Sequence, residues 1–156
     1  MYHRLLVPLE HSPYDRGILT HVRDLARFCR ASIVLIHVAD GWAARNQLHL
    51  HLRESEEMRE DRDYLERVCA ELEGEGFRAE CVLASGDPSE EIAAAAERER
   101  CDLIAMATHG HRFLADLIRG SVADAVRHRS LVPVLLVRGA PDAAAAGDRR
   151  EPARDG

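Results

Sequence analysis

The 156-residue chain lacks any closely spaced pair of cysteines. Its four cysteines, Cys29, Cys69, Cys81 and Cys101, are far apart in the sequence, and none forms a Cys-x-x-Cys pair. That spacing argues against both a zinc site and a disulfide framework. We therefore expect the cysteines to pack as small apolar residues.

The chain also lacks a long apolar segment and an excess of positive charge. No apolar run approaches the length that crosses a bilayer, so we expect no membrane association and take a cytoplasmic location as the default. The formal net charge is −6 and the isoelectric point is about 5.8, which gives no broad attraction to nucleic acid or anionic lipid. Small ligands or protein partners are expected instead of nucleic acid.

The composition is that of a globular domain, with 46% hydrophobic and 31% charged residues. A chain of this length usually forms one domain, which we assign to residues 1–138. Residues 139–156, by contrast, lack apolar periodicity and are rich in alanine, glycine, proline and charge. We expect them to form a disordered C-terminal tail.

Short apolar runs alternate with segments whose apolar residues recur at helical spacing. The runs that predict strands are residues 4–9, 32–38, 77–83, 102–107 and 131–137. Strands that alternate with helices require crossover connections, and these produce a parallel sheet. The sequence therefore predicts a doubly wound, Rossmann-like α/β domain with five parallel strands and helices on both faces.

Two helix starts are visible in the sequence. Asp87 followed by Pro88 and Glu90 is typical of an N-cap, a first helical position and a first turn. Ser12, in Ser-Pro-Tyr-Asp, is interpreted as the N-cap of the first helix rather than as a nucleophile, because no base is identifiable beside it.

The predicted topology indicates where a ligand would bind. In an open parallel sheet, ligands bind at the carboxyl ends of the strands where the strand order reverses. Those ends are residues 10–12, 37–40, 85–86 and 107–121. Only the last segment is a glycine-rich approach to a helix start. A strand, a glycine-bearing loop and a helix N-terminus are the parts from which anion sites are made.

Four stretches, "LLVPLEHS", "SGDPSEEI", "DLIAMATHG" and "RGSVADAVRHRSLVPVLLVR", together resemble the universal stress protein family over about residues 3–138. In the ATP-binding branch of that family, the loop after the fourth strand has the pattern G-x2-G-x9-G-[ST], whose amides and hydroxyl bind the phosphates. This chain matches it at Gly110, Gly120 and Ser121, but has Ala107 at the first glycine.

The resemblance implies strand order 3-2-1-4-5 and a cleft that binds ATP, with Mg²⁺ as a possible companion. Glu10 stands where ATP-binding members have an aspartate, and the backbone near His37 and Val38 is implied to contact adenine. The full expected set is Pro8, Leu9, Glu10, His37, Val38, Met106, Ala107, Thr108, Gly110, His111, Arg112, Gly120, Ser121 and Val122.

Several expected site residues have a second interpretation. Ser121 and Asp124 form an [ST]-x-x-[DE] capping box, which would account for the serine without a ligand. His111 and Arg112 could offer positive charge to a phosphate or be solvated loop residues. If position 107 requires positive φ, alanine there costs about 1–2 kcal/mol, roughly a tenfold loss of ATP affinity.

The fifth predicted strand, Leu131–Val137, is expected at the sheet edge, where an uncovered apolar strand invites pairing. Members of the resembled family commonly form dimers through this edge, so we expect a homodimer. Three functions remain open: a nucleotide-binding stress or regulatory module, a nucleotide-free interaction protein, and a slow ATPase. The sequence shows no set of catalytic residues, and the first function is preferred.

Overall fold

The computed structural model describes residues 1–40, 56–109 and 122–139. Within these ranges, strands and helices alternate as the sequence predicts. The elements are β1 (Arg4–Pro8), α1 (Asp15–Cys29), β2 (Ser32–Asp40), α2 (Glu56–Gly74), β3 (Ala79–Gly86), α3 (Pro88–Arg98), β4 (Leu103–His109), α4 (Val122–Arg129) and β5 (Val134–Gly139). Gly139, the first residue of the expected tail, is the last residue of β5, and residues 140–156 lie outside the described residues.

The strands form one five-stranded sheet in the order β3-β2-β1-β4-β5, and neighbouring strands pair in parallel. Both the doubly wound class and the strand order implied by the resemblance are confirmed. The order reverses between β1 and β4, where Leu5 is in register with Leu103. The two strand ends at this switch point therefore lie side by side, with β2 next to β1.

Two apolar cores cover the two faces of the sheet. Leu5, Val7 and Leu35 pack with α1 and α2 on one face. Leu6 and Ile36, one residue along in each strand, pack with α3 and α4 on the other. Both faces are covered, which explains why the central strands are continuous apolar runs rather than alternating ones. No described helix has the length and apolar character that a bilayer crossing requires.

One predicted helix start is confirmed and the other is wrong. Asp87 caps α3: its Oδ1 accepts from the Glu90 backbone N–H at 3.0 Å, with Pro88 in the first turn. In α1, however, Tyr14 is the N-cap residue and makes no side-chain capping bond. Ser12 instead accepts from the Tyr14 N–H at 3.3 Å within the preceding turn, because the chain turns once more before the helix begins.

Asp102 joins the amino-terminal ends of β4 and β1, at the opposite end of the sheet from the switch-point ends. Its carboxylate accepts from the backbone N–H groups of His3, at 2.8 Å, and Arg4, at 3.0 Å. Burial alone would raise the pKa of Asp102, but these hydrogen bonds and one from the His3 ring outweigh it, so the pKa lies below its usual value. Asp102 is thus an ionised link between two strands that are distant in sequence.

The structure corrects two expectations, one about where the fifth strand begins and one about the burial of the cysteines. The fifth strand begins at Val134, so Leu131 and Pro133 precede it, and Leu131 is fully exposed. The cysteines do not all pack inside: Cys69 and Cys101 are buried, Cys29 is half-buried and Cys81 is exposed. Cys81 is exposed because β3 is an edge strand.

Candidate functional site

A cleft of about 760 Å³ lies at the carboxyl ends of β1, β2 and β4, beside the switch point. Segments that are distant in sequence form its walls: three strand ends, the β1–α1 turn, the first turns of α2, and parts of α3 and α4. The lining residues are Pro8, Leu9, Glu10, His11, Asp15, Ile36, His37, Val38, Ala39, Glu57, Met58, Glu60, Asp61, Pro88, Ile92, Met106, Ala107 and Val122.

Most of the described residues that the sequence assigns to the site line this cleft. They are Pro8, Leu9, Glu10, His37, Val38, Met106, Ala107 and Val122. Thr108 is not among the lining residues, and its hydroxyl donates to the Val137 carbonyl at 3.5 Å. Gly110, His111, Arg112, Gly120 and Ser121 lie outside the described residues.

Ala107 does not have the backbone conformation on which the expected loss of affinity depends. It lies within β4, in register with Val137. Among the described residues other than glycine, positive φ occurs at His11, Arg30 and Arg100. Ala107 is therefore extended, and its Cβ causes no left-handed strain. The tenfold loss of ATP affinity expected for alanine at this position therefore does not apply.

Asp15 shapes the turn that carries Glu10 and His11. Its side chain is only 3% exposed and accepts from the backbone N–H groups of Glu10 and Ser12, both at 3.1 Å. It also accepts from the Tyr64 hydroxyl at 2.8 Å. Burial raises the pKa of Tyr64, and the Asp15 hydrogen bond adds to the rise. The phenol is therefore a permanent donor that fastens the turn to α2.

A buried carboxylate on α2, Asp61, contacts two histidines in the wall of the cleft. Its Oδ1 lies 2.8 Å from His11 Nδ1, and its Oδ2 lies 3.1 Å from His37 Nε2. The His11 ring also stacks on Tyr64, with ring centroids 4.1 Å apart and planes inclined by 15°. Asp61 thus connects α2 to the ends of both β1 and β2.

The hydrogen bond between His37 and the Leu9 carbonyl identifies which ring nitrogen is the donor. Its Nδ1 is 2.8 Å from the Leu9 carbonyl oxygen, which only accepts, so Nδ1 is the donor. The other ring nitrogen, Nε2, faces the Asp61 carboxyl group. The imidazole of His37 thus bridges the end of β1 at Leu9 and helix α2 at Asp61.

Comparison of the whole sequence with known protein families supports the assignment that the strand order and the cleft suggest. A model of the universal stress protein family matches residues 1–138. The chain belongs to the universal stress protein family. The resemblance seen in the four sequence stretches is therefore confirmed.

This universal stress protein is similar to the universal stress protein MJ0577 of Methanocaldococcus jannaschii. The two are 29% identical over an alignment of 155 positions that covers 88% of this chain and 96% of the relative. The solved structure of MJ0577 matches with a TM-score of 0.73 at 30% identity, covering 91% of this chain and 99% of that one. The chain thus spans nearly the full length of this relative.

Two further solved structures share the fold. A universal stress protein in complex with cAMP matches with a TM-score of 0.71 at 17% identity, covering 89% of this chain and 99% of that chain. A universal stress protein of Archaeoglobus fulgidus in complex with dAMP matches with a TM-score of 0.65 at 18% identity, covering 88% of this chain and 98% of that chain.

Carboxylates dominate the charged lining of the cleft. Its acidic residues are Glu10, Asp15, Glu57, Glu60 and Asp61, and no described lining residue is lysine or arginine. The described ranges contain no group of three or more His, Cys, Asp or Glu side chains that could hold a metal ion. An anionic ligand would therefore need positive charge from the start of α4, from a cation that it brings, or from residues 110–121.

The sequence did not predict the roles of Asp15, Asp61 and Tyr64, and it indicated His11 only as part of the strand end at residues 10–12. One signal for Asp61 was present, because it lies four, seven and eleven residues before Leu65, Val68 and Leu72, on the buried face of α2. A carboxylate on an apolar helix face needs partners, which indicates a polar contact inside the fold. No local pattern, however, identified His11 and His37 as those partners.

Proposed function

We propose that this universal stress protein is a small cytoplasmic module that binds ATP, or another adenine nucleotide, in the cleft at the carboxyl ends of β1, β2 and β4. Its role would be in stress response or regulation. The observation that carries the proposal is the convergence of the expected nucleotide residues on one cleft. Its volume of about 760 Å³ is within the range of small-molecule sites. The relatives solved with cAMP and dAMP support an adenine nucleotide.

The end of β2 suits an adenine ring. β1 pairs with β2 as far as Pro8 and Ile36, whereas the pairing of β2 with β3 continues to Asp40 and Gly86. The last residues of β2 thus extend beyond β1 and line the cleft. The apolar side chains of Ile36, Val38, Ile92 and Met106 also line it. Backbone polar groups beside apolar side chains are the combination that binds a flat heteroaromatic base.

The opposite side of the cleft suits the phosphates. The first residue of α4, Val122, lines the cleft, and the N-terminus of a helix favours negative charge. Glu10 at the end of β1 could accept from a ribose hydroxyl. Because the lining is acidic, we expect Mg²⁺ to strengthen ATP binding by reducing the charge of the phosphates.

Calorimetric titration with ATP, AMP and adenosine tests both the ligand and its orientation. Val122 is partly exposed, so glutamate, lysine and glutamine at this position should leave the fold intact. A unit charge about 8 Å from a phosphate contributes about 1–2 kcal/mol at an effective dielectric constant of roughly 20–40, or about tenfold in affinity.

We expect Val122→Glu to weaken ATP binding about tenfold and Val122→Lys to strengthen it, with Val122→Gln as the neutral control. Adenosine affinity should not change. Equal effects on ATP and adenosine would contradict the proposed orientation. If the wild-type chain bound none of the three ligands at millimolar concentration, the remaining function would be that of a nucleotide-free interaction protein.

Measurement of phosphate release separates simple binding from slow ATP hydrolysis, which would need Glu10 or a histidine to position water.

We also propose that the chain forms a homodimer through β5. This strand is at the edge of the sheet and has β4 as its neighbour on one side. Leu136, near its middle, is 46% exposed. An exposed apolar edge favours pairing with another strand, and a second copy of β5 is a matching partner.

A further inference from the structure

Cys69 and Cys81 lie on facing surfaces of α2 and β3. Cys69 is buried on the face of α2 that packs against the sheet, in the same core as Ala79 of β3. Side chains two residues apart on a strand project from the same face, so Cys81 projects toward α2 as Ala79 does. Its register partner Leu35 belongs to that core too, while the intervening Val82 packs in the opposite one.

The two thiols are neighbours across the contact between α2 and β3, and they differ in accessibility. Burial raises the pKa of Cys69 to about 11, and the neighbouring Cys81 thiol adds to the rise. Cys81, on the edge strand, is exposed to solvent. A reagent in solution therefore reaches the Cys81 thiol first, and the Cys69 thiol is positioned to react with the product formed on Cys81.

We propose that Cys69 and Cys81 form a redox-sensitive pair that closes to a disulfide between α2 and the edge strand β3. The oxidant would be a low-molecular-weight disulfide such as oxidised glutathione. The Cys81 thiolate attacks one sulfur of the oxidant, breaks its S–S bond and releases one thiolate. The Cys69 thiolate then attacks the Cys81 sulfur and releases the second. Two protein thiols thus become one disulfide, and one oxidised glutathione becomes two reduced ones.

The other two cysteines occupy different positions. Cys101 is buried in the core on the opposite face of the sheet, and burial raises its pKa to about 11. Cys29 is half-buried at the last residue of α1.

The disulfide would act on α2, the helix whose Asp61 and Tyr64 contact the β1–α1 turn. It would therefore fix a helix that forms one wall of the cleft.

The test uses the full chain, oxidised glutathione, and mass spectrometry after remaining thiols have been alkylated. Arg78 lies between the two cysteines, so trypsin separates residues 68–78, which contain Cys69, from residues 79–98, which contain Cys81. We expect the wild-type chain to lose two hydrogens in mass. Those two peptides should then be joined and should separate on reduction.

Single variants identify the order of the two steps. Cys69→Ser should retain one glutathione on Cys81, whereas Cys81→Ser should form no link, and Cys29→Ser should behave as the wild-type chain does. The second step needs the Cys69 thiolate, so its rate should rise about tenfold per pH unit between pH 7 and 9. A stable glutathione adduct on Cys81 of the wild-type chain, no reaction at Cys81, or a link to Cys29 or Cys101 would overturn the proposal.

Discussion

Replacing Asp61 with asparagine tests whether the histidine contacts in the cleft wall stabilise the fold. Asp61 is a buried carboxylate within 3.1 Å of His37 and 2.8 Å of His11. Asparagine keeps the shape and can still accept from one histidine, but it loses the charge and leaves the other contact without its acceptor. A hydrogen bond to a charged group contributes about 1.5–3 kcal/mol. We therefore expect Asp61→Asn to lower the free energy of unfolding by about 2–3 kcal/mol.

The assay is urea unfolding followed by circular dichroism, with thermal unfolding as a second measurement. For a chain of this size the expected fall in Tm is about 5–10 °C, since 1 kcal/mol corresponds to roughly 2–4 °C. Asp63→Asn is the matched control, because Asp63 is exposed on the same helix. A double-mutant cycle with His37→Gln should give a coupling above about 1 kcal/mol. Equal stability of Asp61→Asn and Asp63→Asn would refute the structural role assigned to this contact.

Two further predictions concern the strand link at Asp102 and the exposed edge. Because hydrogen bonds hold the pKa of Asp102 below its usual value, its ionised form stabilises the folded state above about pH 4, and this contribution disappears as the pH falls through the folded-state pKa. Urea unfolding at pH 7 should therefore give Asp102→Asn a free energy of unfolding about 1–2 kcal/mol lower than that of the wild-type chain. This difference in stability should become smaller below about pH 4. A difference that does not change with pH would contradict the prediction. At the exposed edge, Leu136→Lys should shift the dimer toward monomer in sedimentation measurements. Leu131→Lys, a control just before β5, should leave the dimer unchanged. A wild-type chain that is monomeric at micromolar concentration would count against the dimer.

The sequence predicts those parts of the fold that depend on local pattern. Continuous apolar runs such as residues 32–38 indicate strands that are covered on both faces, and the cap at Asp87 follows from residue types within one turn. Strand order does not follow from local pattern, because it depends on contacts between distant segments. Here it came from the family resemblance. The start of β5 was predicted wrongly for a similar reason: Leu131 is as apolar as the strand but lies outside its pairing.

The candidate site was predicted in part for the same physical reason. Glu10 and Val38 follow from the rule that ligands bind at the carboxyl ends of parallel strands. Asp61 comes from a helix far along the chain, so no pattern around His11 or His37 could identify it as their partner. The neighbouring thiols of Cys69 and Cys81 were missed in the same way, since cysteine spacing along the sequence gives no information about distance across a helix–sheet contact.

A crystal structure determined with ATP and Mg²⁺ at millimolar concentration tests the proposed function most directly. We expect the adenine ring against the last residues of β2 near Val38, the ribose near Glu10, and the phosphates toward the start of α4 at Val122. Nucleotide bound at another surface, or no nucleotide in the cleft under those conditions, would contradict it.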